Sequence, residues 1–252
     1  MAFLDPVFNP LLQPLLNASP FWAIAILAFI ISLIITLVYK FATNQQEMKR
    51  LKGEQKDFQK KIKELRSNPQ EMMKVQKEAM SKNMEYMKHS FKATLITMLP
   101  ILVIFSWMSA HLMYEPIYPG ERFGITAELA EGVNGEVELQ VDDGVELLSE
   151  AKQQINGAAS WNLKSSGGEH FLTVKTNNDE QIKKVLITEN LMYEEPVSQY
   201  ENSEIELIQI SYNKLKPAGN LSLLGWKPGW LGWYIIWSIV FSMGLRKLLK
   251  IY

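Results

Sequence analysis

The chain of 252 residues carries 26 Lys or Arg against 27 Asp or Glu and has no cysteine, which excludes disulfides and thiolate metal sites. Its three histidines, His89, His111 and His170, lie far apart in sequence without an HExxH-type spacing, so no enzyme, metal or cofactor is expected. The near-neutral total hides a segregation: residues 40–92 hold 14 basic against 7 acidic side chains, and residues 115–220 hold 8 against 19.

Residues 1–20, with Asp5 as their one charge, read as an extracytoplasmic segment. The run 21–39 is free of charge and rich in Ile, Leu, Ala and Phe, close to the roughly 20 residues that cross a hydrocarbon core. The basic cluster follows this run instead of preceding it, so it reads as a retained span and not a cleaved signal.

Residues 40–92 predict a cytosolic antiparallel coiled-coil hairpin. Met48, Leu51, Gln55, Phe58, Ile62 and Leu65 alternate by threes and fours, the a/d seam of a coiled coil. Ser67-Asn68-Pro69-Gln70-Glu71 then supplies a stop and a restart: Asn68 caps, Pro69 fits the first helical position and Glu71 closes a capping box. In the second arm Met73, Met80, Met84, Met87 and Phe91 share a stripe. It is read either as the other half of the seam or as a soft surface that receives varied apolar segments. The surplus of lysine is either a solvated face or a surface for anionic lipid heads or ribosomal RNA.

A second span is predicted over 93–113, with Pro100 kinking its interior. Residues 114–222 then change to short alternating runs, at 124–129, 135–141, 158–163, 170–176 and 205–212, with turn signals such as Asn134-Gly135 and Asp143-Gly144 between them. The expectation is an inserted all-β, sandwich-like domain of immunoglobulin type with Trp161 in its core. Its acidic surface reads as solubility, and His170 as structural. Residues 223–245 form an interfacial segment and a short third span, and 246–252 a tail with Arg246, Lys247 and Lys250.

Lys and Arg flank all three runs on one side, which places the amino terminus and the β domain outside and the hairpin and carboxyl terminus in the cytosol. Within the spans, hydroxyls pair on shared helix faces: Ser32 with Thr36, Thr94 with Thr97, Ser106 with Ser109, and Ser238 with Ser242. They are read either as helix packing and back-bonding to carbonyls or as the lining of a groove open to the cytosol, with Lys40 at its mouth. No Asp, Glu, Lys or Arg lies inside a span, and His111 falls near the outer end of the second, which speaks against a pump or ion-coupled transporter.

Met98-Leu99-Pro100-Ile101-Leu102-Val103-Ile104-Phe105, Gly229-Trp230-Leu231-Gly232-Trp233-Tyr234 and Leu245-Arg246-Lys247-Leu248-Leu249, set in this topology, resemble the YidC/Oxa membrane protein insertase superfamily. The resemblance is strongest to its archaeal YidC-like branch, which is related to the third subunit of the endoplasmic reticulum membrane complex. It implies a multi-pass cell-membrane insertase or chaperone for hydrophobic segments with short polar flanks. The implied partners are nascent membrane proteins, the bilayer, the ribosome and a small helical membrane subunit, with no DNA. The chain departs from bacterial YidC in its three spans, its lack of a groove arginine and its large outer domain. The competing reading is a membrane-anchored receptor or scaffold that uses the β domain for a ligand and the coiled coil for assembly.

Overall fold

A computed structural model describes residues 5–251. The chain divides into two compact units, Met1–Pro20 with Met108–Trp230, and Phe21–Trp107 with Leu231–Tyr252.

The second unit is helical. α2, Pro20–Ala42, is about 35 Å long at about 1.5 Å per residue, enough to cross a hydrocarbon core. α3, Gln45–Glu64, begins at Asn44, whose side chain accepts the Gln46 and Glu47 backbone N–H groups at 3.1 and 3.2 Å. A single 3₁₀ turn, Leu65–Ser67, ends it. Asn68 then accepts the Glu71 N–H at 3.4 Å, and Pro69 opens α4, Pro69–Leu112. The second hairpin arm and the second apolar run are therefore one continuous helix of about 66 Å that carries Pro100 in its interior. α5, Trp230–Leu248, completes the unit.

α3 and the first half of α4 run antiparallel, as the pairing of Arg50 with Glu85 (3.5 Å) and of Lys82 with Glu54 (3.8 Å) requires. On α3, Met48 and Leu51 are buried and Phe58, Ile62 and Leu65 half-buried, following the three-four spacing of the sequence. On the first half of α4 the half-buried positions are Met72, Val75, Ala79, Lys82, Glu85, Tyr86 and Ser90. The methionine stripe does not fill the seam: Met73, Met80, Met84, Met87 and Phe91 are all more than half exposed. These side chains lie one position round the helix from the seam, so an apolar residue at helical spacing pointed to the wrong face.

The first unit holds α1, Asp5–Ala18, and a two-sheet β domain. α1 was unforeseen because it contains Pro10 and Pro14. Those prolines and Pro6 recur every four residues on one exposed side, where missing N–H donors cost least. Leu16 is fully buried, and Asn17 accepts the Leu191 N–H at 3.0 Å while Gln13 donates to the Leu191 carbonyl at 2.8 Å.

Nine strands follow: β1 Arg122–Leu129, β2 Glu136–Val141, β3 Val145–Leu147, β4 Lys152–Gln154, β5 Ala158–Ser165, β6 Gly168–Lys175, β7 Glu180–Ile187, β8 Val197–Gln199 and β9 Ile205–Ser211. All their pairings are antiparallel, in the orders β3-β5-β1-β9-β8 and β4-β2-β6-β7. Alternate residues of both sheets meet in one core around Ile125, Trp161, Leu139, Val174, Val185 and Ile208. Trp161 is buried as expected and donates from Nε1 to the Ala151 carbonyl at 3.0 Å. The immunoglobulin order is not found, since the first strand pairs directly with the last.

Candidate functional site

In the helical unit large apolar side chains lie on the outer faces as well as the inner ones. α2 turns Ala28, Ser32 and Thr36, spaced by four, inward, and leaves Trp22, Ile26, Phe29, Ile30, Ile34 and Leu37 bare. α5 likewise exposes Leu231, Ile235, Ile239 and Met243 at every fourth residue, and α4 exposes Leu95, Leu99 and Leu102. A helix in water buries such side chains; in hydrocarbon they cost nothing. α2 and α4 are both long and apolar enough to cross a membrane. α5, whose last turn contains Arg246 and Lys247, is shorter in its apolar part.

Rings fix the three helices to each other. Phe21 meets Trp233 edge-on at 4.8 Å, and Phe29 meets Phe241 at 5.4 Å, so α2 and α5 run parallel. Phe105 of α4 meets Tyr234 at 4.7 Å. At the other end the Tyr39 and Tyr86 hydroxyls approach to 3.2 Å, and the Arg246 guanidinium lies 5.5 Å from the centre of the Tyr39 ring.

The sequence-derived hydroxyls fall along the lengths between these two aromatic levels. Ser32 and Thr36 lie between Phe29 and Tyr39, Thr94 and Thr97 between Tyr86 and Phe105, and Ser238 and Ser242 between Tyr234 and Arg246. Ser32, Thr36 and Thr97 are buried. Thr97 donates back to the Ala93 and Thr94 carbonyls at 3.1 and 3.0 Å, as the packing reading requires. Thr94 is exposed and donates to the Ser90 carbonyl at 3.1 Å, while Ser242 donates to the Ile239 carbonyl at 3.2 Å. Ser106 and Lys40 are half-buried. Ser109 belongs to the other unit, where it lines a cleft of about 590 Å³ with Asp5, His111 and Tyr193.

Sequence reasoning missed three polar atoms on α5. Trp233 Nε1, Trp237 Nε1 and Ser238 Oγ are shut off from solvent and meet no partner at hydrogen-bond geometry. Each such atom costs about 1–3 kcal/mol. The signal available was the i,i+4 spacing of Trp233 with Trp237 and of Tyr234 with Ser238, two neighbouring faces of one helix.

Outside the apolar helices, Glu47, Glu85 and His89 bring ligand-type atoms within 4.8 Å of one another, a grouping that sequence spacing hid. Both carboxylates already serve ion pairs: Arg50 bonds Glu47 and holds its carboxyl below the usual range, and Lys82 does the same to Glu85 at 2.9 Å. His170 is structural. Its Nδ1 lies 2.8 Å from Asp142 Oδ1 and its Nε2 lies 3.1 Å from the Ser166 carbonyl, and Asp142 Oδ2 accepts the Phe171 N–H.

No curated protein and no solved structure matches the chain. Residues 5–123 match a family of integral membrane proteins described as EMC3/TMCO1-like. The match takes in α1 to α4 and stops inside β1, leaving the β domain and α5 beyond it. Over residues 5–123 the chain is similar to the EMC3/TMCO1-like family of integral membrane proteins, which belongs to the Oxa1/YidC-related insertase superfamily.

Proposed function

We propose that the protein is a membrane insertase or chaperone: α2, the second half of α4, and α5 form a three-span core whose inward, hydroxyl-bearing faces receive polar flanks of hydrophobic segments. The observation that carries this reading is the placement of hydroxyls on the inner faces, among buried apolar side chains such as Ile24, Leu27 and Ile31, while other large apolar side chains stand bare outside. Ser32, Thr36 and Thr97 are buried there, and the Trp233, Trp237 and Ser238 polar atoms have their bonding capacity unspent. A polar backbone group in hydrocarbon costs several kcal/mol, and a central charge at least about 2.5, so donors and acceptors offered at membrane depth lower the barrier. The short apolar part of α5 adds local thinning of the bilayer. The client's own apolar helix supplies the driving force, with no nucleotide involved.

In this reading the basic ends of α2 and α5 face the cytosol, with the amino terminus and β domain outside. The hairpin of α3 and α4 is a coiled coil projecting toward the ribosome. Its exposed stripe of Met73, Met80, Met84, Met87 and Phe91 is the first surface an emerging apolar segment meets, because methionine adapts to varied shapes. A small helical membrane subunit is the expected partner in the bilayer.

The test is insertion of a translated single-span substrate into liposomes containing the purified protein, with photocrosslinkers at Met80, Met84, Thr36 and Ser238. Nascent chains should label the hairpin positions first and the inner-face positions later. Insertion equal to that of protein-free liposomes, or labelling at neither group, rejects the reading. Removal of residues 116–222 should leave insertion standing, whereas a receptor working through its β domain would lose its activity.

A further inference from the structure

Between the first half of α3 and the end of α5 lies a cleft of about 520 Å³ lined by Lys49, Lys52, Lys56, Arg246, Lys247 and Lys250 and, among the described residues, by no carboxylate side chain. Of the acids on α3, Glu47 and Glu54 are bound to Arg50, which also pairs with Glu85 of α4, and Asp57 follows Lys56 without lining the cleft. Lys52, Lys56, Arg246, Lys247 and Lys250 bring five like charges to one concavity, and their repulsion favours a bound anion.

Two residues in this lining break local rules of helix structure. Gly53 sits in the interior of α3, where glycine is the poorest choice short of proline, and a Cβ there would point into open space. Lys250 has φ +51°, a left-handed position that usually falls to glycine, and it closes α5. Beyond it the Ile251 N–H returns to the Arg246 carbonyl at 2.9 Å, and Ile251 is buried. This cap folds the tail back and delivers Arg246, Lys247 and Lys250 to one place. Where two sequence choices both cost local stability and both shape one cleft, the cleft has a use.

We infer that this cleft binds the anionic phosphate headgroup of a membrane lipid. Its level in the molecule selects a lipid over other phosphates. Arg246 stacks on Tyr39 in the closing turns of α2, where the charge-free stretch gives way to Lys40, so the cleft stands at the edge of the hydrocarbon layer. Phe41 and Leu248 are bare in the same turns and offer contacts to acyl chains. Nucleic acid is the poorer fit, because the cations converge on a pocket instead of tracking along a groove.

The experiment is native mass spectrometry of the full-length protein in detergent, equilibrated with equal amounts of phosphatidylglycerol and phosphatidylcholine. Wild type should retain phosphatidylglycerol preferentially, and K250G and R246Q should each lower that preference roughly fivefold, the worth of one basic residue near an anionic surface. K250G suits the left-handed cap better than lysine does, so its melting temperature should hold or rise while binding falls. G53L blocks the cleft without altering charge and should lower retention as well. Millimolar inorganic phosphate should leave the lipid bound, because the headgroup is held at the membrane edge together with its chains. Equal retention of the two lipids, retention unchanged in K250G and G53L, or displacement of phosphatidylglycerol by phosphate or by poly(U) RNA would overturn the proposal.

Discussion

The Tyr39 hydroxyl stands 3.2 Å from the Tyr86 hydroxyl, joining the last turns of α2 to α4 where the basic hairpin meets the apolar helices. Tyr39 also lies under Arg246, so one ring connects three helices at a single level. Replacing Tyr86 by Phe removes the bond and leaves the ring. The expected cost is about 1 kcal/mol, the net worth of an ordinary hydrogen bond. Amide hydrogen exchange should quicken in residues 36–42 and 82–90 and stay unchanged in the β strands. Equal exchange in the two proteins would mean that the hydroxyl contact contributes nothing.

Gly144 has φ +90°, and a Cβ there would lie 2.7 Å from Ser166 Oγ and 3.2 Å from His170 Cε1. The same turn is held by Ser165 Oγ, which donates to the Gly144 carbonyl at 3.2 Å, and by the His170–Asp142 contact. Gly144→Ala therefore combines backbone strain with a clash against a fixed ring. A loss of about 1–3 kcal/mol is expected in denaturant unfolding of the β domain. A midpoint within experimental error of wild type would show that the turn relaxes freely.

What was legible in the sequence follows from how strongly one force dominates each segment. Charge-free runs marked α2 and the second half of α4, and the threes and fours of Met48 to Leu65 marked the inner face of α3. Strands with clean alternation, such as β1 and β5, were read within a few residues. β7 was missed because Glu180, Lys183 and Lys184 make it look solvated, although Lys183 is buried at 3% exposure. β3, β4 and β8 are three residues each, too short to carry a period. Of the candidate site, the hydroxyl pairs were visible because i,i+4 spacing is local. The basic cleft was not, because its two halves are about 190 residues apart and only the packing of α5 beside α2 and α3 unites them.

Lys183 gives the β domain a distinctive pH response. Its Nζ donates to Ser198 Oγ at 2.7 Å and to the Glu195 carbonyl, but burial holds its affinity for a proton below the ordinary lysine value of 10.5, against the pull of Glu195 and Glu194. Between its folded value and 10.5 the unfolded chain binds more protons, so stability rises with pH through that window. Tyr193 opposes this above pH 10.0: burial pushes it up to about 12, so the folded state keeps a proton the unfolded chain sheds, and stability falls from there. Lys183→Met should be more stable than wild type at pH 7 by about 1 kcal/mol or more, and the gap should narrow as pH approaches 10. The check is the denaturation midpoint of both full-length proteins across pH 7 to 10. A gap independent of pH would mean that packing, and not the buried charge, separates them.

Ser238 distinguishes a working inner face from a merely packed one. Its Oγ is buried, makes no hydrogen bond of ordinary geometry and has the Tyr234 hydroxyl as its side-chain neighbour, whereas Ser242 already spends its hydroxyl on the Ile239 carbonyl. If the face only packs, Ser238→Leu removes an unsatisfied polar atom and should leave insertion as it was or steady the bundle. If the face hosts polar flanks of a client, the same change removes a bonding site and fills space at membrane depth. Insertion of a client with a charged tail should then slow by roughly tenfold, about 1.4 kcal/mol, within the range of one orphaned buried polar group. Ser242→Leu should have a smaller effect, because its hydroxyl is already bonded within the helix. The measurement is the initial rate of protease-protected product in liposomes, for tailed and tail-free versions of one client. Equal slowing of both clients would point to a general packing defect, and no slowing of either would leave Ser238 a packing residue.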